Sequence, residues 1–168
     1  DLGDPDSSGY YSVKNTAGID GFHSDKTVYY KPVNEKSKTV LDISQNGSKV
    51  TYKWQVEVKQ TNGSFRGKTI SDVMNAASND GKSIKSVLDT DSIIMYVQRN
   101  GKGSYETLNS SNYTVVPNAD NTSFEIKFND SEEFDNINLV QIQYSSTVDV
   151  TGLDAGTIIN CLLYTSPS

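Results

Sequence analysis

The stretch that decides the fold is "VTYKWQVEV", residues 50–58. Val50, Tyr52, Trp54, Val56 and Val58 alternate with Thr51, Lys53, Gln55 and Glu57. A period of two puts the apolar set on one face of an extended chain, the pattern of a half-buried β-strand. The same pattern recurs along the chain. "SFEIKF" (123–128) turns Phe124, Ile126 and Phe128 inward, and "NLVQIQYSSTV" (138–148) turns in Val140, Ile142 and Tyr144. Further strand candidates are "TVYYKPV" (27–33), "KTVLDI" (38–43), "KTISDV" (68–73), "SIIMYVQ" (92–98), "YTVV" (113–116) and the closing "TIINCLL". The runs are separated by "QNGS" (45–48), "TNGS" (61–64), "RNGKGS" (99–104) and "PNADNTS" (117–123), which is hairpin chemistry. Helix is expected in one place at most, a turn or two over "ISDVMNAAS" (70–78) stopped by Gly81. Many short strands with regular turns predict an all-β antiparallel sandwich.

Composition excludes several function classes. The 168 residues suffice for one full domain with a sizeable core. Fifteen basic residues stand against 21 acidic ones, a net charge of -6, which argues against nucleic acid or an anionic membrane as a partner. No apolar run approaches the roughly 20 residues of a membrane helix, so no membrane insertion is expected. The single Cys cannot form an internal disulfide, and with the single His, His23, it cannot build a zinc site. No metal and no cofactor is expected. His23 lies in "GIDGFHSDK" with no evident orienting partner, so a hydrolytic triad is not supported. The carboxylates of "DSEEFD" (130–135) read as a solvated loop rather than a glycosidase pair.

At the N-terminus "YYSVKNTAG" (10–18) reads as the end of a strand and "IDGFHSD" as a linker. "SVKNTA" and "TIINCL" share a form, a β-like run closing on Asn. Residues 1–22 are therefore expected to be the end of a preceding domain plus a linker, and 23–160 the sandwich domain.

Several stretches together resemble a known family. In "GSKVTYKWQVEVKQTNGSFRGKTISDVM" a Trp strand (Trp54, Val56, Val58) is followed after a hairpin by a strand carrying Ile70 and Asp72. "TDSIIMYV", "SFEIKF" and "VQIQYSSTV" follow in order, and the last strand closes on Asn160. This succession resembles the collagen-adhesin A-type domain of Gram-positive cell-wall-anchored surface adhesins and pilin-like stalks. The resemblance implies an immunoglobulin-like sandwich and an internal isopeptide bond between a Lys on the first strand and an Asn on the last, assisted by an Asp. Carried over, the Asn is Asn160 and the Asp, as proton shuttle, is Asp72. The Lys is Lys38 by its distance from Trp54, with Lys36, which precedes Ser37, as the alternative and Lys31 a distant third. No Gly follows Ser37, which departs from the family pattern. The last eight residues, "CLLYTSPS" (161–168), also depart from it and resemble translated sequencing-adaptor DNA from metagenomic assemblies, so a non-native tail is expected there.

The chemistry of such a trio is sound. A Lys among apolar residues is more readily neutral and nucleophilic, a carboxyl group in the same place can carry protons, and the fold replaces an encounter by a position. A bond closing so long a loop would stabilise on the order of 4 kcal/mol by analogy with disulfides. Without the resemblance, Asn160 reads as a hydrogen-bonded edge amide, Asp72 as the N-cap of the short helix, Lys38 as an exposed strand lysine and Trp54 as core. The expected function is a non-enzymatic structural or adhesive module of an extracellular, bacterial cell-wall-anchored protein, self-crosslinked once. Its expected partners are neighbouring domains of the same chain and a host extracellular-matrix protein or glycan. The alternative is a carbohydrate- or matrix-protein-binding sandwich without a crosslink; Trp54, inward by alternation, counts against an exposed aromatic platform.

Overall fold

Strand β4 (Lys49–Lys59) shows the alternation directly: Val50, Tyr52, Trp54, Val56 and Val58 are at most 2% exposed. The computed structural model describes residues 11–19, 22–30, 36–59, 64–78, 83–153 and 159–167. Among them the other strands are β1 (Tyr11–Ile19), β2 (Phe22–Tyr30), β3 (Lys36–Asn46), β5 (Thr69–Ser78), β6 (Ser83–Arg99), β7 (Glu106–Thr107), β8 (Tyr113–Pro117), β9 (Ser123–Phe128), β10 (Ile137–Asp149) and β11 (Ile159–Pro167). All pairings are antiparallel.

One sheet runs β3-β4-β10-β6 with β7 on its edge, and the second runs β11-β5-β9-β8. They face each other as an antiparallel β-sandwich. Strand β6 belongs to both. Its first residues, Ser83–Lys85, pair with Asn75–Ala77 of β5, and from Ser86 onward it pairs with β10. Between Asp89, opposite Ser145, and Ile94, opposite Gln143, residues 90–93 bulge out across from Tyr144. Ser92 Oγ holds the bulge, accepting from the Ser145 N–H at 2.8 Å and donating to the Asp89 carbonyl at 2.6 Å.

The facing sides close on one core. Ile142, Tyr144 and Val148 of β10 and Met95 and Val97 of β6 join the β4 residues, while Ile70, Met74, Phe124, Ile126 and Phe128 face them from the second sheet. A polar group crosses this core: Trp54 Nε1 donates to Ser146 Oγ at 2.9 Å, and Ser86 Oγ donates to the same oxygen at 3.1 Å.

Three expectations differ from the structure. Residues 70–78 form no helix; they belong to β5, and no α-helix occurs among the described residues, only the 3₁₀ turns Ser110–Asn112 and Glu132–Phe134. Strand pairing overrides the local helix preference of Met74, Ala76 and Ala77, because β5 is hydrogen-bonded on one side to β11 and on the other to β9 and β6. The N-cap reading of Asp72 falls with the helix. "IDGFHSD" is not a linker throughout: Phe22–Asp25 open β2, which pairs with β1 from Phe22 opposite Ile19 to Tyr30 opposite Tyr11. "DSEEFD" is not wholly solvated either. Its Phe134 is 0% exposed and lies 5.1 Å from Phe128, which meets Phe65 edge-on at 5.8 Å.

Phe134→Ala is therefore expected to cost about 3–5 kcal/mol, whereas Glu132→Ala two residues away should stay within about 0.5 kcal/mol. Urea unfolding midpoints at unchanged slope measure both.

Candidate functional site

Strand β3 runs along β4, with Lys38 opposite Val56 and Val40 opposite Trp54. A register shift between Val40 and Asp42 marks a bulge at Leu41, which is 44% exposed. The bulge changes which residues face the core, so that Lys38 and Val40 turn inward before it and Ile43 after it. Lys38 is consequently buried, at 7% exposure. Asp72 faces it from β5 at 2% exposure, on the same inward side as Ile70 and Met74.

Lys38 Nζ lies 2.6 Å from Asp72 Oδ1 and 2.5 Å from Oδ2. Tyr144 of β10 donates its hydroxyl to Asp72 Oδ2. The amine sits over two rings, 5.3 Å from the centroid of Trp54 and 5.4 Å from that of Tyr144. Phe124, opposite Asp72 in register, meets Tyr144 edge-on at 5.0 Å. Strands from both sheets thus converge on one amine and one carboxyl group inside an aromatic wall.

The surroundings set the protonation chemistry. Burial pulls Lys38 below its ordinary value of 10.5, opposed by the charge and hydrogen bond of Asp72. Burial pushes the Tyr144 phenol well above 10, reinforced by the charge of Asp72 and its hydrogen bond, so Tyr144 remains a donor. A proton moving across the Lys38–Asp72 contact produces a neutral amine beside a carboxylic acid, a nucleophile and an acid–base group in place. No group of three His, Cys, Asp or Glu among the described residues could hold a metal ion.

The structure brings Lys38 and Asp72 together. Lys36 opens β3 two positions earlier, opposite Val58, and Lys31 lies outside the described residues. Asn160 lies in β11 with its backbone opposite Ala77, while Thr165 is opposite Asp72. These positions are five apart along β5, about 17 Å. Tyr144 is the site residue that the sequence reading placed only in the core. Its signal was available: an inward Tyr needs a partner for its hydroxyl.

No protein-family model and no curated protein sequence matches the chain. Among solved structures, it is similar to the collagen-binding domain from a Staphylococcus aureus adhesin, at 10% identity over 76% of this chain and 95% of that one, TM-score 0.38. It is similar also to the collagen-binding domain of the Erysipelothrix rhusiopathiae surface protein RspB, at 9% identity over 98% of this chain and 59% of that one, TM-score 0.42. A third is the full-length RrgB pilus protein from Streptococcus pneumoniae, at 11% identity over 86% of this chain and 26% of that one, TM-score 0.38.

Two predictions follow from the pair, both for an Asn160→Ala background that removes the amide implied as partner of Lys38. Asp72→Ala leaves a buried ammonium without its counter-charge and should cost about 3–5 kcal/mol, while Lys38→Met with Asp72→Leu should recover most of that loss in denaturant unfolding. The pH dependence has a definite sign. Below 10.5 the unfolded chain binds the Lys38 proton more readily than the folded one, so the contribution of Lys38 to stability rises with pH towards 10.5. Tyr144 acts oppositely, its contribution falling as pH climbs above 10. Any stability advantage of Lys38→Met over its parent should accordingly shrink between neutral pH and 10.5.

Proposed function

We propose that the chain is a structural module of a bacterial cell-surface adhesin or stalk, and that Lys38 forms an isopeptide bond with Asn160, assisted by Asp72. The observation that carries this reading is the buried Lys38–Asp72 contact, an amine shifted towards neutrality and held against an acid–base group between β3 and β5. In the reaction, the Lys38 amine attacks the Asn160 side-chain carbonyl carbon. A C–N bond to Nζ forms, the bond to the amide nitrogen breaks, and ammonia leaves. Asp72 takes the proton from Nζ and returns it to the departing nitrogen. The protein turns over once and is not an enzyme. The product would tie β3 to β11 across the sandwich.

The register of β11 favours a second reading. With Asn160 opposite Ala77, the bond requires β11 to slide along β5 until Asn160 reaches Asp72. If β11 keeps this register, Lys38 and Asp72 are a permanent buried ion pair and the module is an uncrosslinked sandwich that binds a matrix protein or glycan.

Intact mass of the denatured chain separates the two. The crosslink removes one ammonia in the wild-type chain, and the deficit disappears in Asn160→Ala and in Lys38→Ala but persists in Lys36→Ala. A wild-type chain of full mass, also when residues 161–168 are replaced by a polar strand sequence, leaves the ion-pair reading.

A further inference from the structure

We propose that Tyr144 is the positioning residue of this site, fixing which oxygen of Asp72 receives the proton that Lys38 gives up. The inference rests on the crosslinking reading above. Tyr144 is 1% exposed, and its hydroxyl donates to Oδ2. A carboxyl oxygen that bears a proton is a poor acceptor, so while Tyr144 donates to Oδ2 the acid proton belongs on Oδ1. Lys38 Nζ is 2.6 Å from Oδ1, so the transfer needs no rotation of the carboxyl group. The phenol stays in place because its ring is held edge-on by Phe124 at an interplanar angle of 77° and because Tyr144 pairs with Trp54 in the β4–β10 register.

Atoms balance with Tyr144 as a spectator. The proton leaves Lys38 Nζ for Asp72 Oδ1, and the freed lone pair forms the bond to the amide carbon. Oδ1 passes that proton to the amide nitrogen, which departs as ammonia, and the carboxylate so formed takes the second proton from Nζ, leaving a neutral isopeptide N–H beside a protonated Asp72. The Tyr144 proton never transfers; it holds Oδ2 throughout and stabilises the carboxylate whenever the acid is ionised. Among the described residues, the titratable groups against the Tyr144 hydroxyl and ring are Asp72 from β5 and Lys38 from β3.

The test is a time course of intact mass for wild-type and Tyr144→Phe chains across a pH series. Tyr144→Phe is expected to fold, as read by circular dichroism, and to lose ammonia on the order of 100-fold more slowly. The acid limb of its rate profile should move to higher pH, because the carboxylate has lost a donor that favours its ionised form. 3-Fluorotyrosine at position 144, a stronger donor of nearly unchanged shape, should move that limb the other way, and it serves equally if Tyr144→Phe does not fold. Phe128→Leu loosens the core at Phe65 and Phe134, away from the Tyr144 ring, and should crosslink within a few-fold of wild type. A crosslinking wild type with an unchanged rate and acid limb in Tyr144→Phe, or an unmoved limb with 3-fluorotyrosine, overturns the role of Tyr144 alone. A wild type that never loses ammonia overturns the crosslinking reading and this inference together.

Discussion

The contact between Lys38 and Asp72 is the constraint to which the surrounding structure answers. A lysine and an aspartate taken out of water cost several kcal/mol each in lost hydration. Their mutual attraction offsets this only where geometry is tight and the remaining hydrogen-bonding capacity is met. Here Nζ reaches both carboxyl oxygens, Tyr144 adds a third donor, and the rings of Trp54 and Tyr144 offer the ammonium their electron-rich faces. The bulge at Leu41 turns Lys38 inward, and the period-two pairing of β5 does the same for Asp72. An apolar pair of similar volume would fill this space at less cost.

Trp54 links this centre to a second polar point. Its ring lies beneath Lys38, while its N–H is held by Ser146, which also accepts from Ser86. Tyr144 and Ser146 are successive inward positions of β10, so one strand presents both the donor to Asp72 and the acceptor for Trp54. The indole is thereby fixed in the plane and orientation that line the amine.

Most of the sandwich could be read from alternation. The runs at 50–58, 123–128 and 138–148 declared their inward faces correctly because each keeps its own alternation where its apolar residues lie, the bulges at Leu41 and at residues 90–93 falling in the partner strands β3 and β6. The failures lie where local preference and pairing disagree. "ISDVMNAAS" carries helix-forming residues, and only its neighbours on both edges make it a strand. "DSEEFD" hides a core residue because Phe134 sits in a 3₁₀ turn, where no period marks it as inward. Of the site, Lys38 and Asp72 were named from family resemblance rather than from pattern, and the bulge that buries Lys38 leaves no sequence signature at Leu41. Tyr144 could have been found by asking where an inward phenol sends its proton. Strand register is harder still: "TIINCLLYTSP" contains a strand plainly enough, but which residue lies opposite Asp72 depends on partner strands far away in sequence.

The passage of β6 from one sheet to the other has a consequence for how the molecule comes apart. In a sandwich whose sheets touch only through side chains, one layer can peel away while the other keeps its ladder. Here the first residues of β6 are hydrogen-bonded to β5 and the rest to β10, so a single continuous backbone is stitched into both layers. Pulling either layer away drags on the other through covalent bonds rather than through packing alone. Fraying should be confined to the outer edges, and slow amide exchange should be lost from the central strands of both layers in one concerted opening.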